Sequence, residues 1–181
     1  MRPWILRHFI CVTFTILAVA PLLAQTNIWK ADAAASTVKF TTSAPFGKVT
    51  GSLTGLLIYL SFDESTPGAG SISASVDPKT VDTGISLRNT HLREKEEFFN
   101  TSKYPLIAFK SLVIKKGISG YVAEGNLTIK AVTRYISIPF TFTKTDKKAV
   151  FKGQFTIDAN DYNVGKGARP VTVNFEIPAS Q

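Results

Sequence analysis

The chain has 181 residues, 21 basic and 13 acidic, for a net charge of +8, and Phe supplies 13 of its 20 aromatic residues. This length fits one domain with a real core, since about 150 residues bury roughly 70% of their unfolded surface. One cysteine and two histidines exclude a disulfide framework and leave too few ligands for a zinc or copper site.

At the N-terminus, Arg2 and Arg7 precede or flank an apolar run from Phe9 to Leu23, and Ala24 offers a small residue for cleavage before Gln25. This pattern predicts a secretory signal over residues 1–24, removed to leave a mature domain over 25–181; an uncleaved anchor is the alternative. Cys11 lies inside that signal and has no lipoprotein box around it, so the mature domain would carry no cysteine. Loss of Arg2 and Arg7 leaves 19 basic residues against 13 acidic, net +6. No later apolar stretch reaches about 18 uncharged residues. The expectation is a soluble exported protein, periplasmic in a Gram-negative cell and otherwise secreted.

The mature domain alternates apolar and polar residues along most of its length, the signal of half-buried strands. Trp29 packs the first strand, and Thr37-Val38-Lys39-Phe40-Thr41 forms the next segment before a turn or bulge at Pro45-Phe46-Gly47. Lys48 to Phe62 reads as one long strand with Val49, Gly51, Leu53, Gly55, Leu57 and Tyr59 on one face, bent at its glycines. Pro67-Gly68-Ala69-Gly70 turns the chain into a strand with Ile72, Ala74 and Val76 on one face.

Ser86 to Ser111 breaks this pattern and reads as a helical cap inserted over one end of the fold. Asn89 or Thr90 is placed as its helix cap. His91 and Lys95 would share one helical face, with Leu92 and Phe99 on another. Pro105 ends the insertion, and Ile107-Phe109-Ser111-Val113 resumes the period of two. Further strands follow over Tyr121–Ile129, through Ile136, Ile138, Phe140 and Phe142, and through Phe151, Gly153, Phe155 and Ile157. Pro139 points to an edge or a bulge. Asp158 to Arg169 is a Gly- and Asn-rich loop, and a last strand through Val171, Val173, Phe175 and Ile177 ends at Pro178. The sum is about eight antiparallel strands in a barrel or sandwich, with a short helical insertion. A barrel of eight strands either fills its interior with side chains or holds one small ligand.

Catalytic constellations are missing: there is no Gly-x-Ser-x-Gly elbow to accompany His91, and Glu94, Glu96 and Glu97 read as a solvated charged face. No catalytic residue, metal ligand or cofactor is assigned. Gly165-Lys166-Gly167 lacks the context of a phosphate loop. Scattered lysines without interleaved exposed aromatics argue against nucleic acid. What remains is an apolar cavity with a polar mouth. Candidate wall residues are Leu57, Phe98, Phe99, Phe109, Ile136, Ile138, Phe140, Phe155 and Phe175. Candidate head-group contacts are Arg88, Asn89 and His91, although Arg88 is equally placed to tie the cap to the rim through backbone carbonyls.

Leu87-Arg88-Asn89-Thr90-His91-Leu92, Glu97-Phe98-Phe99-Asn100, Tyr104-Pro105-Leu106-Ile107-Ala108-Phe109-Lys110-Ser111 and Gly125-Asn126-Leu127-Thr128-Ile129-Lys130-Ala131-Val132-Thr133 together resemble the signature of the YceI-like family. The resemblance implies an eight-stranded lipocalin-like antiparallel barrel with helices at one end and no enzymatic activity. It further implies an elongated channel for a polyisoprenoid, an isoprenoid quinone or a fatty amide, bound as ligand rather than cofactor. A dimer and a peripheral contact with a membrane surface are expected alongside. Two departures stand out. Asn89 replaces the family's common Asp, and Ala131 replaces a glycine, which implies a turn that avoids positive φ. A filled barrel acting as a stress-related interaction module, without ligand, is the alternative.

Overall fold

A computed structural model describes residues 27–44, 47–165, 167 and 170–181. The expected signal at 1–24, and the Pro45-Phe46 and Lys166 parts of two expected turns, lie outside the described residues.

Among the described residues ten strands run as β1 (Ile28–Ala31), β2 (Thr37–Ala44), β3 (Gly47–Leu53), β4 (Leu57–Ser61), β5 (Ser71–Val76), β6 (Ile107–Gly117), β7 (Gly120–Ile129), β8 (Val132–Thr145), β9 (Lys148–Asp158) and β10 (Pro170–Ser180), with one α-helix, α1 (Ser86–Glu94), between β5 and β6. The hydrogen-bonded order β1-β4-β5-β6-β7-β8-β9-β10 closes on itself because β1 also pairs with β10. β2 and β3 continue the β1–β4 ribbon: Trp29 opposes Leu60, Val38 opposes Leu53, and β2 follows β1 along β10. The fold is therefore an eight-stranded antiparallel barrel in which two long strands are each interrupted once.

Those interruptions decide which side chains face inward. Thr54-Gly55-Leu56 breaks the long strand, with Gly55 at φ +72°, a conformation glycine adopts without steric cost. Side-chain parity flips across the break. Leu53 faces the interior before it, whereas Leu56 and Leu60 are buried after it. Leu57, expected in the cavity wall, is 70% exposed on the outside, since the expected single face ran straight through the break. A bulge between Ser111 and Val113 does the same in β6 and makes Ile114, not Val113, the core residue.

The ladder between β8 and β9 ends at Phe140↔Gly153, one residue before Pro139, which therefore stands where β8 has an edge on that side. From there toward the cap, β8 pairs with β7 and β9 pairs with β10. Gly153 is needed at this divergence, because a Cβ would lie 2.3 Å from the Pro139 carbonyl oxygen. Pro178 does not end the last strand. β10 continues to Ser180, and the Pro178 carbonyl accepts the Asp32 amide (2.8 Å) opposite the β1–β2 interruption. The β7–β8 turn also departs from expectation: Lys130 and Ala131 both have positive φ (51° and 61°). A two-residue hairpin of this hand requires that at both positions, whichever residues occupy them.

The end away from the cap is packed solid. Phe62 is fully buried and meets the rings of Tyr121, Phe142, Phe140 and Phe151 at centroid distances of 4.8, 5.0, 5.6 and 5.9 Å. Trp29, also buried, donates its indole N–H to the Phe62 carbonyl (2.9 Å), so the ring packs without an orphaned donor.

Candidate functional site

Above this aromatic stopper the barrel is hollow. A cavity of about 710 Å³ lies under the cap. A narrower one of about 140 Å³ continues from it toward the stopper. Val38, Val76, Ile107, Leu127, Phe155 and Val173 line both, so the two adjoin along the barrel interior. Each sits at an inward position of its strand, where the period of two places apolar residues. The narrow part ends on Phe140 and Phe151.

The roof comes from two loops. Leu92 from α1, with Glu97, Phe98 and Phe99 from the segment after it, supplies one side; Ala159, Tyr162, Val164 and Gly165 supply the other. α1 starts at Ser86, so Asn89 and Thr90 lie inside the helix rather than capping it. It ends at Glu94, and Lys95 is extended, which removes the expected pairing of His91 with Lys95 on one helical face. Leu92 and Phe99 meet through a turn instead, the Phe99 amide donating to the Leu92 carbonyl (3.0 Å). The two sides of the roof are clasped. Lys130 Nζ donates to the carbonyls of Glu96 and Asn163, and the Gly165 amide donates to the Glu97 carbonyl (2.6 Å).

Phe109, Ile138, Phe140, Phe155 and Phe175 line the narrow part, and Phe98 and Phe99 the wide part. Ile136 packs against the core without lining either. The three expected head-group contacts are elsewhere. Arg88 donates from Nε to the Thr83 hydroxyl (2.8 Å) and from Nη2 to the Thr83 carbonyl (2.6 Å), which is the tie of cap to rim. Buried Asn89 accepts at Oδ1 from the Thr83 amide (2.9 Å) and hydroxyl (2.6 Å), and donates from Nδ2 to Asp82 Oδ1 (2.8 Å). The Gly84 amide and the Asn89 side chain together hold the Asp82 carboxyl below the usual carboxylate range. His91 is exposed. The charged and amide residues of the helix thus build the cap, and its apolar residues face the cavity.

Among the described residues the polar members of the wall are Thr42, Ser43, Glu97 and Tyr162 in the larger part and Ser75 in the smaller. Tyr162 is 1% exposed, and its hydroxyl has no hydrogen-bond partner. Burial, with Asp161 beside it, pushes this phenol upward, so it remains an O–H donor. It escaped the sequence reading because it lies in a loop rich in Gly and Asn, where no periodicity marks an inward residue. Val38, Leu127 and Val173 do follow strand periodicity and were legible as inward positions. Among the described residues no three His, Cys, Asp or Glu side chains gather as metal ligands, and no helix is long and apolar enough to cross a membrane.

An up-and-down eight-stranded barrel, stoppered at one end and hollow beneath a helical cap at the other, defines a lipocalin-like class of barrel. The model of the YceI-like domain matches residues 29–179, and the chain belongs to that family. A UPF0312 protein of Yersinia enterocolitica is 31% identical over 122 residues, and one of Pectobacterium atrosepticum is 30% identical over the same length. Each match covers 64% of this chain and 63% of the relative. Among solved structures, Burkholderia cenocepacia BcnA superposes with a TM-score of 0.79 at 24% identity, over 83% of this chain and 100% of that one. A polyisoprenoid binding domain from Saccharophagus degradans, implicated in plant cell wall breakdown, superposes with a TM-score of 0.61 at 17% identity, over 86% and 99%.

Proposed function

We propose that this protein binds and shelters a long-chain amphiphile, a polyisoprenoid, an isoprenoid quinone or a fatty amide, and performs no chemistry on it. The observation that carries the reading is the pair of adjoining, mostly apolar cavities in the barrel, about 710 Å³ under the cap and about 140 Å³ beyond it. Small-molecule sites run to about 300–1,000 Å³ with a mostly apolar wall and few polar groups. Each buried CH₂ of a ligand tail contributes about 0.8 kcal/mol before ordering costs. The polyisoprenoid binding of the Saccharophagus domain supports the same ligand class on the same fold. The apolar run from Phe9 to Leu23 behind basic residues supports export to the periplasm, where such a carrier would hold lipid away from water.

Native mass spectrometry of the mature protein, purified from its own host without detergent and then extracted with organic solvent, tests this. The expected result is a discrete added mass that extracts as a quinone, polyprenol or fatty amide. A clean apo mass, with no uptake when such lipids are offered, would overturn the carrier reading in favour of an interaction module.

A further inference from the structure

The barrel wall has a seam. Beyond Phe140↔Gly153 the β8–β9 ladder has no further pair, although β8 stays paired to β7 as far as Val132 and β9 to β10 as far as Asp158. The part of β9 left without β8, residues 154–158, is about 16 Å long at about 3.3 Å per residue. The 3-10 turn Ala159–Tyr162 lies against both strands there. Its buried residues, Ala159 and Tyr162, line the wide cavity together with Leu127 and Ile129 of β7 and Phe155 and Ile157 of β9, whereas no described residue of β8 lines it. The turn is a wall panel, set where β8 leaves the wall. A second open strand side, along β3, is closed by backbone instead: Ser52 and Asp82 exchange both bonds (2.8 and 3.0 Å), and the Thr80 hydroxyl accepts the Thr54 amide (3.1 Å). The panel is tied to β8 by a side chain, Arg134 Nε donating to the Asp161 carbonyl at 3.2 Å, and both residues are exposed.

We propose that this panel is the door of the cavity: the turn swings out from between β8 and β9, and the tail of the amphiphile passes sideways through the slot it leaves. The proposal rests on the carrier reading above and assigns the route of the ligand rather than its identity. The turn is pinned at both ends, Asp158 in the β9–β10 ladder and Asn163 by Lys130, so it moves about the line between them. Three features favour this route over the roof. The bond from Arg134 lies at the surface, where water replaces it as the panel leaves. The Tyr162 hydroxyl has no partner while the panel is in place, and outward movement returns it to water, which offsets part of the apolar packing given up. Parting the roof, by contrast, breaks the backbone bond from Gly165 to Glu97 (2.6 Å) and takes Lys130 Nζ from one of its two carbonyls.

Two reversible bridges separate the routes, each made in a Cys11→Ser background. Arg134→Cys with Asp161→Cys, joined by a short reducible bis-thiol linker, pins the panel to β8. Glu97→Cys with Val164→Cys, joined the same way, pins the two sides of the roof. Release of deuterated geranylgeraniol into excess unlabelled alcohol, and its Kd, are measured for each protein before and after reduction, with thermal melting as the check on folding. The expected result is release slowed at least about tenfold by the panel bridge and restored by reductant, at an unchanged Kd because uptake slows equally, with the roof bridge leaving release within about twofold. Arg134→Ala, without any bridge, should speed uptake and release alike by about fivefold at an unchanged Kd, which a merely loosened wall would not do. Slow release from the roof-bridged protein, or unchanged release from the panel-bridged one, would overturn the side door while leaving the carrier intact. Should the panel-bridged pair fail to melt cooperatively, the Arg134→Ala rates decide, and unchanged rates or a weakened Kd would overturn it. Failure of wild type to bind geranylgeraniol or a longer polyprenol would instead remove the carrier reading and this inference with it.

Discussion

Asn89 is the residue on which the cap turns, because its two amide ends serve different partners. Oδ1 takes both Thr83 donors, and Nδ2 reaches Asp82. An aspartate there would set two carboxylates against each other across the 2.8 Å now bridged by Nδ2–H. We therefore expect Asn89→Asp to cost about 2–3 kcal/mol at neutral pH, and Asn89→Ala about 1–3 kcal/mol, both read by urea denaturation. The penalty of the aspartate should shrink as the pH falls and one carboxyl is protonated. Asp82 adds a related acid dependence. Its folded pKa is lowered by the Gly84 amide and by Asn89, so its stabilising contribution is complete above the unfolded value of about 3.9 and fades as pH drops through the folded one. Melting from about pH 6 to about pH 2 should show a shallower acid loss for Asp82→Asn than for wild type. Amino-acid type alone showed that Asn89 and Arg88 matter near the cap, but not what they bind. A planar donor set fits a lipid head group and a backbone carbonyl equally well, and only the fold of Asp82-Thr83-Gly84 under the helix decides between them.

Strand by strand, the period of two located the interior well, and it failed where one residue changed the count. Gly55 and Leu112 each shift the pleat, and every side chain beyond reverses its face. That is why Leu57 points to solvent while Phe109, Phe155 and Phe175, on unbroken runs, face inward as their alternation indicates. The roof was the least legible element. Phe98, Phe99 and Tyr162 reach the cavity from irregular segments, whose direction is set by clasps such as Lys130 to Glu96 and Asn163 rather than by local periodicity. The β7–β8 turn offers a direct check on element geometry. Ala131 at φ +61° bears the steric cost of a left-handed residue, about 1–2 kcal/mol. Glycine removes that cost and loses part of the gain to its freer unfolded chain. Ala131→Gly should raise Tm by a few degrees, read by thermal melting.

For the molecule as a whole, the two parts of the cavity adjoin at wall residues that line both, Val173 among them. Val173→Trp should fill that junction, abolishing uptake of long-chain lipid by native mass spectrometry while the barrel still melts cooperatively. Loss of the barrel itself would show instead as a broad, early transition. The interlocked rings of Trp29, Phe62, Phe140, Phe142 and Phe151 fill the far end of the barrel, and they also give the cavity a fixed depth. A blind channel of fixed depth is a ruler. Once a tail touches bottom, every further isoprene unit must push the head out through the roof or stay behind in water. Affinity should therefore climb with chain length, reach a maximum, and then fall. Phe140→Ala, which deepens the floor, should move that maximum to a longer chain in a competition among polyprenols of graded length.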